Sequence, residues 1–258
     1  MRLLCSAGIV LLATAGGLSP RAAATENSPH TYFDCGRDII RTEFVSDLPA
    51  GLKPHANRGA GGPQTFSIIL NSGPGLVAAP EALAAFQRAA RIWESFFHDP
   101  ITVIIDAEYF PLGPNILGFA SSRQFNTDYT TIRDAMVADA QSGEAILASL
   151  PTLSDYDVIL PEGFAFADEL RASKALLRAL GFDMSFDDGN PDAVIGFSSE
   201  FSFDFDPTDG ISPFSFDFEG VALQEIGHAL GFISGVDSVD RQLRADCQRT
   251  FGDPNNNV

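Results

Sequence analysis

The stretch Val221-Ala222-Leu223-Gln224-Glu225-Ile226-Gly227-His228-Ala229-Leu230-Gly231-Phe232 constrains this chain more than any other. Its apolar spacing predicts a helix over 217–231, with Asp217 as the N-cap and Gly231 closing the last turn in a left-handed conformation. Gln224 and His228 stand four residues apart and so share a face. Glu225 lies about 100° around the helix from Gln224, at the edge of that face. Such a helix needs an apolar layer beneath it and presents a polar edge above.

The rest of the chain supplies the layer. A strand over 65–71 is followed by a helix over 80–98, in which Leu83, Phe86, Ala90, Trp93 and Phe97 recur at helical spacing. Trp93 and the phenylalanines belong to its core face, and His98 falls at its C-terminal end. Strands are predicted over 101–110 and 116–120, helices over 130–149 and 164–181, and a strand region over 192–203. The fold class that follows is α/β (α+β): a mixed, twisted sheet backed by the 80–98 and 217–231 helices. Residues 25–64 read as a loop-like arm, because Pro29, Pro49, Pro54 and the run Arg58-Gly59-Ala60-Gly61-Gly62-Pro63 punctuate them.

Composition narrows the partners. With 45% hydrophobic and 19% charged residues the chain is globular rather than disordered. Residues 1–24 read as a secretory signal: Arg2, an apolar run from Leu3 to Leu12, and Ala22-Ala23-Ala24 as a small-residue cleavage site. Removing them takes two arginines and no acid, which leaves 14 basic against 34 acidic residues. So acidic a surface disfavours nucleic acid and anionic membrane, and no membrane span remains once the signal is gone. Cys35 and Cys247 survive in the mature chain; in an oxidising compartment their pairing, if formed, would tie the arm to the region beyond the key helix.

The acid turn Asp204-Phe205-Asp206-Pro207-Thr208-Asp209-Gly210, then Asp217-Phe218-Glu219-Gly220, then Glu225-Ile226-Gly227-His228-Ala229-Leu230-Gly231-Phe232 together resemble secreted bacterial zinc metalloproteases of the His-Glu-x-x-His class, the metzincin and leishmanolysin-like groups. The resemblance covers about thirty residues closely. It implies a metalloprotease-like domain over 65–258 that matches the amino-terminal subdomain of that fold and continues past Val258. It also implies a protein or peptide substrate, zinc as cofactor, Glu225 as the general base acting on metal-bound water, and His228 as a metal ligand.

The sequence departs from the pattern at Gln224, which stands in the first ligand position. An amide oxygen is a weaker zinc donor than imidazole. Metal lowers the pKa of water from about 15.7 to ~7, so its loss forgoes on the order of 12 kcal/mol as an upper bound. The compact metzincin spacing puts the third ligand at 234, which here is Ser234; of the carboxylates just downstream, Asp237 and Asp240, Asp237 is the better candidate for that ligand. The chain has four histidines, His30, His55, His98 and His228, none at paired spacing, and no methionine follows His228. Two functions therefore stand side by side: a secreted zinc-dependent metalloendopeptidase, and a catalytically inactive protease-like binding protein. Calcium at Asp204, Asp206 and Asp209 is a further option, though their spacing departs from the EF-hand pattern.

Overall fold

β-branched residues fill 102–105, and burial alternates along the strand that they open, around which the first of two units is built. The computed structural model describes residues 10–15, 30–33, 40–54, 65–140, 144–155 and 164–233. In chain order the elements are β1 (Val10–Ala15), β2 (His30–Phe33), β3 (Ile40–Asp47), β4 (Ser67–Ser72), α1 (Pro74–Val77), α2 (Pro80–Phe96), β5 (Thr102–Phe110) and β6 (Gly118–Asp128). There follow α3 (Tyr129–Asp139), α4 (Ala145–Ala148), β7 (Phe164–Ser173), α5 (Lys174–Ala179), β8 (Ala193–Ser198), β9 (Phe203–Asp204), β10 (Phe216–Asp217) and α6 (Phe218–Leu230). The chain divides into two compact units.

The first unit draws on Pro54–Arg123 and Ser173–Phe232. Its sheet is mixed. β4 pairs parallel with β5, β5 parallel with β8, and β8 antiparallel with the start of β6. On one face Val103, Ile105 and Ala107 alternate with half-buried neighbours, and Ile105 and Ala107 lie beside Ala193 and Ile195 of β8. The helices α2 and α6 cover this face, so the mixed α/β class with a helix-backed sheet is observed. Buried Ala82, Ala85, Phe86, Ala89 and Ala90 make the stripe of α2, at the i, i+3, i+4, i+7, i+8 spacing of one helix face. Four of the five are alanines, which lets the helix axis approach its neighbours closely. Phe86 meets Phe197 edge-on at 4.9 Å, and Phe197 meets Phe218 of α6 at 4.6 Å.

The start of α1 depends on Gly73, its N-cap, and on Gly75 in its first turn, both lying against Glu108. The Glu108 carboxylate accepts the amides of Leu76 at 2.9 Å and Tyr109 at 2.8 Å. A Cβ on Gly75 would sit 2.2 Å from the Tyr109 carbonyl oxygen and 2.6 Å from Glu108 Oε1, so only glycine fits there.

A buried ionic cluster lies where α5 follows β7. Lys174 is fully buried, and its ammonium donates to the carbonyls of Asp187 (2.6 Å) and Asn190 (2.8 Å) and to Asp187 Oδ2 (3.0 Å). Arg123 donates to the same carboxylate from Nε (3.1 Å) and Nη2 (2.9 Å). Burial pushes the Asp187 pKa up, but the hydrogen bonds from Lys174, Arg123 and Asn190 outweigh it and hold the carboxyl below its ordinary range. At Asp192 burial wins over Arg178 and the Ile104 amide, and the pKa is raised. One of its oxygens, Oδ1, is buried without a hydrogen-bond partner.

The second unit draws on Gly8–Lys53 and Gln124–Ala172 together with Ile233. In it β1 pairs antiparallel with β7, and β2 antiparallel with β3. Asp128 caps α3 by accepting the Thr131 amide at 2.7 Å, and Tyr129 Oη donates to the Pro151 carbonyl at 2.8 Å.

Three sequence expectations change here. The helix predicted over 164–181 is a strand to Ser173 and a helix only from Lys174. Pairing with β1 takes the backbone of its first half, and the Ser173 hydroxyl accepts the Leu176 amide at 3.2 Å, starting a new helix mid-pattern. The helix predicted over 130–149 breaks at Ala140, whose ψ of 136° leaves the helical region. The arm over 25–64 contains β2 and β3, because Pro29 and Pro49 bound the strands rather than interrupt them. Val10–Ala15, within the expected leader, is extended and paired with β7.

Candidate functional site

The helix α6 begins at Asp217, as the spacing predicted, but the Asp217 side chain makes no capping bond. Its backbone is committed to the parallel pairing of β10 with β9, and its Oδ1 is buried without a partner. The other end follows expectation. Gly231 has φ +107°, its amide donates to the His228 carbonyl (3.1 Å), and the Phe232 amide donates to the Gly227 carbonyl (3.0 Å). Both bonds belong to the Schellman closure, which only a residue at ease in the left-handed region makes cheaply.

This closure returns the chain over the last turn and brings the Phe232 carbonyl to His228 Nδ1 at 2.8 Å. A carbonyl can only accept, so Nδ1 carries a proton, and in the neutral ring Nε2 then holds the lone pair. Such a backbone anchor on one nitrogen is what a metal-binding imidazole ordinarily has.

Gln224, Glu225 and His228 are not equally placed. Gln224 is exposed, His228 is half-buried, and Glu225 is buried to 7% exposure among Ile226, Gly227 and Ala222. Another face of the helix, that of Leu223 and Gly227, packs on α2. Trp93 of α2 donates its indole N–H to the Leu223 carbonyl at 3.0 Å. The ring stacks on Phe97 at 5.6 Å with 4° between planes and meets Phe232 at 5.3 Å. Gly227 lies against it, since a Cβ there would be 3.3 Å from Trp93 Cζ2. The glycine between Glu225 and His228 thus has a packing role.

Arg88, also on α2, was not legible as a site residue. It donates to Glu219 Oε2 in the first turn of α6 at 2.7 Å and to the Phe205 carbonyl in the acid turn. One guanidinium therefore holds the entrance of the helix to the loop that precedes it.

In the acid turn the carboxylates serve the backbone. Asp204 accepts the Ser212 amide (2.8 Å) and the Asp206 amide (3.0 Å), and these bonds lower its pKa, Ser212 contributing most. Asp206 accepts the hydroxyl and amide of Thr208, which lower its pKa likewise. Asp209 is exposed.

Among the described residues no group of three or more His, Cys, Asp or Glu side chains could hold a metal ion. The donors α6 itself presents are one imidazole, one exposed amide, the buried Glu225 carboxylate and the Glu219 carboxylate held by Arg88, a set that among the described residues does not fit a zinc centre. Asp237 and the two cysteines Cys35 and Cys247 lie outside the described residues. No helix among the described residues is long and apolar enough to cross a membrane.

The fold and site define a class no finer than a mixed α/β unit whose glycine-capped helix packs on a tryptophan. No family model, no curated protein and no solved structure matches the chain.

Proposed function

We propose that this chain is an extracellular, protease-like binding protein of the His-Glu-x-x-His lineage, in which the helix persists as a scaffold and peptide hydrolysis has been given up. The observation that carries this reading is the donor set of α6. Gln224 replaces an imidazole, Glu225 is buried, and His228 has no companion ligands among the described residues. The acidic balance of 34 carboxylates to 16 basic residues makes a protein or peptide the natural partner and disfavours nucleic acid.

One observation favours the second reading, a zinc-dependent metalloendopeptidase. His228 is anchored through Nδ1 with Nε2 left as the lone-pair nitrogen, beside a glutamate. That reading needs further donors from beyond residue 233, with Asp237 the nearest carboxylate considered.

The experiment is a zinc titration by calorimetry together with casein cleavage, on wild type and on Gln224→His. The binding-protein reading expects no stoichiometric zinc and no cleavage in wild type, and measurably tighter zinc binding in Gln224→His. Tight zinc binding with chelator-sensitive cleavage by the wild-type chain would overturn it.

A further inference from the structure

The connection from β9 to β10 ends in a turn whose chemistry runs against its own geometry. Ser212-Pro213-Phe214-Ser215 is closed by the Ser215 amide donating to the Ser212 carbonyl at 3.1 Å. Pro213 occupies the second position and Phe214, at φ +67°, the third. A turn with proline second and a positive φ third calls for glycine or asparagine at the third place. Here it is a phenylalanine, and its ring is fully exposed.

Nothing in the fold accounts for that choice. The ring packs on no core, and the left-handed backbone disfavours it. Its surroundings extend the same character: Ile211 and Phe216 are exposed beside it, and Pro213 is exposed within it. The turn is also held still. Ser212 donates to Asp204, the hydroxyls of Ser202 and Ser215 bond at 3.0 Å, and the Phe216 amide donates to the Ser202 carbonyl at 2.9 Å. Two exposed carboxylates, Asp206 and Asp209, stand on the same connection.

We infer that this turn is a docking surface for a protein partner that offers an apolar pocket rimmed by lysine or arginine. An exposed aromatic on a hydrogen-bonded turn is the usual anchor of an interface, since it brings a large contact area from a side chain with only two rotatable bonds. The charge around it selects the partner. Asp206 and Asp209 on a chain of net charge −18 complement a basic rim and repel an anionic lipid surface. The inference rests on the binding reading above and names the surface that would serve it.

The test uses the full chain and a 14-residue amphipathic helix of leucine and lysine as probe, with a lysine–serine peptide of equal charge as control. Binding is followed by calorimetry at low and high salt. The leucine–lysine peptide is expected to bind at least about tenfold more tightly than the control. Phe214→Asn and Ile211→Ser are each expected to remove about tenfold, and salt to weaken the wild-type complex as Asp206 and Asp209 are screened. Phe214→Asn relieves the turn, so it tests binding without a folding defect; its melting curve checks this.

Equal binding by Phe214→Asn, or equal binding of the control peptide, overturns the inference while leaving the zinc result untouched. Phosphatidylcholine vesicles retained by wild type and released by Phe214→Asn would replace the protein partner with a lipid surface. Concentration-dependent self-association abolished by Phe214→Asn would replace it with a second copy of the chain. Zinc-dependent cleavage of casein would instead remove the binding reading and leave the turn's peptide affinity as measured.

Discussion

Replacing Phe214 should make the protein more stable. An L-residue in the left-handed region costs about 1–2 kcal/mol relative to its preferred basins, and asparagine bears that conformation far better than phenylalanine. Because the ring is fully exposed, truncating it forfeits no burial in the folded chain. The bond from Ser215 to Ser212 and the proline at position 213 remain, so the turn keeps its geometry. Phe214→Asn is therefore expected to gain about 1 kcal/mol. Phe214→Gly removes more strain but loosens the unfolded chain by roughly 0.4–1 kcal/mol, so its net gain is smaller. Phe214→Ala keeps a Cβ in the same backbone and should gain little. In a chain of this size 1 kcal/mol corresponds to about 2–4 °C in melting temperature. Thermal and urea unfolding of the three variants give the ranking directly. A lower melting temperature for Phe214→Asn, or an equal gain for Phe214→Ala, would refute the strain argument.

Gly75→Ala should cost about 2–3 kcal/mol or more, because its Cβ would meet the Tyr109 carbonyl oxygen at 2.2 Å, and the backbone of the α1 loop must move. Urea midpoints measure it; an unchanged midpoint would mean that the Gly75 loop is not packed on Glu108. The ionic cluster makes a pH-dependent prediction. Asp187 has a lowered folded pKa, so its stabilisation is complete above the unfolded value of about 3.8 and is lost as pH falls through the folded value. Asp192 is raised, so it penalises the fold above its folded pKa and the penalty is relieved on acidification. Asp187→Asn should therefore be destabilising at neutral pH, with the difference from wild type shrinking below pH about 4; a constant difference across the series would count against this assignment.

Much of the first unit was legible because local pattern and tertiary environment agree there. The helical spacing of α2, the β-branched run that opens β5 and the glycine stop of α6 each announce the element they form. The 164–181 segment was not legible, because Leu170, Leu176, Leu177 and Leu180 keep helical spacing across a boundary fixed by Ser173 and by pairing with β1. At the site, the shared face of Gln224 and His228 followed from spacing alone, whereas the burial of Glu225 is a tertiary fact that the spacing of α6 does not state. Arg88 and Lys174 carried no sequence signal. Their roles are set by partners more than a hundred residues away in one case and by two backbone carbonyls in the other.

Trp93 is the only tryptophan in the chain, and it lies against Gly227, Phe232 and the Leu223 carbonyl. Its emission is consequently an unlabelled optical reporter of how α6 is seated. A shift in wavelength or intensity registers a change in how α2 and α6 are seated on one another, whether the cause is a cation at His228, a changed cap at Gly231 or the arrival of a partner at the preceding turn.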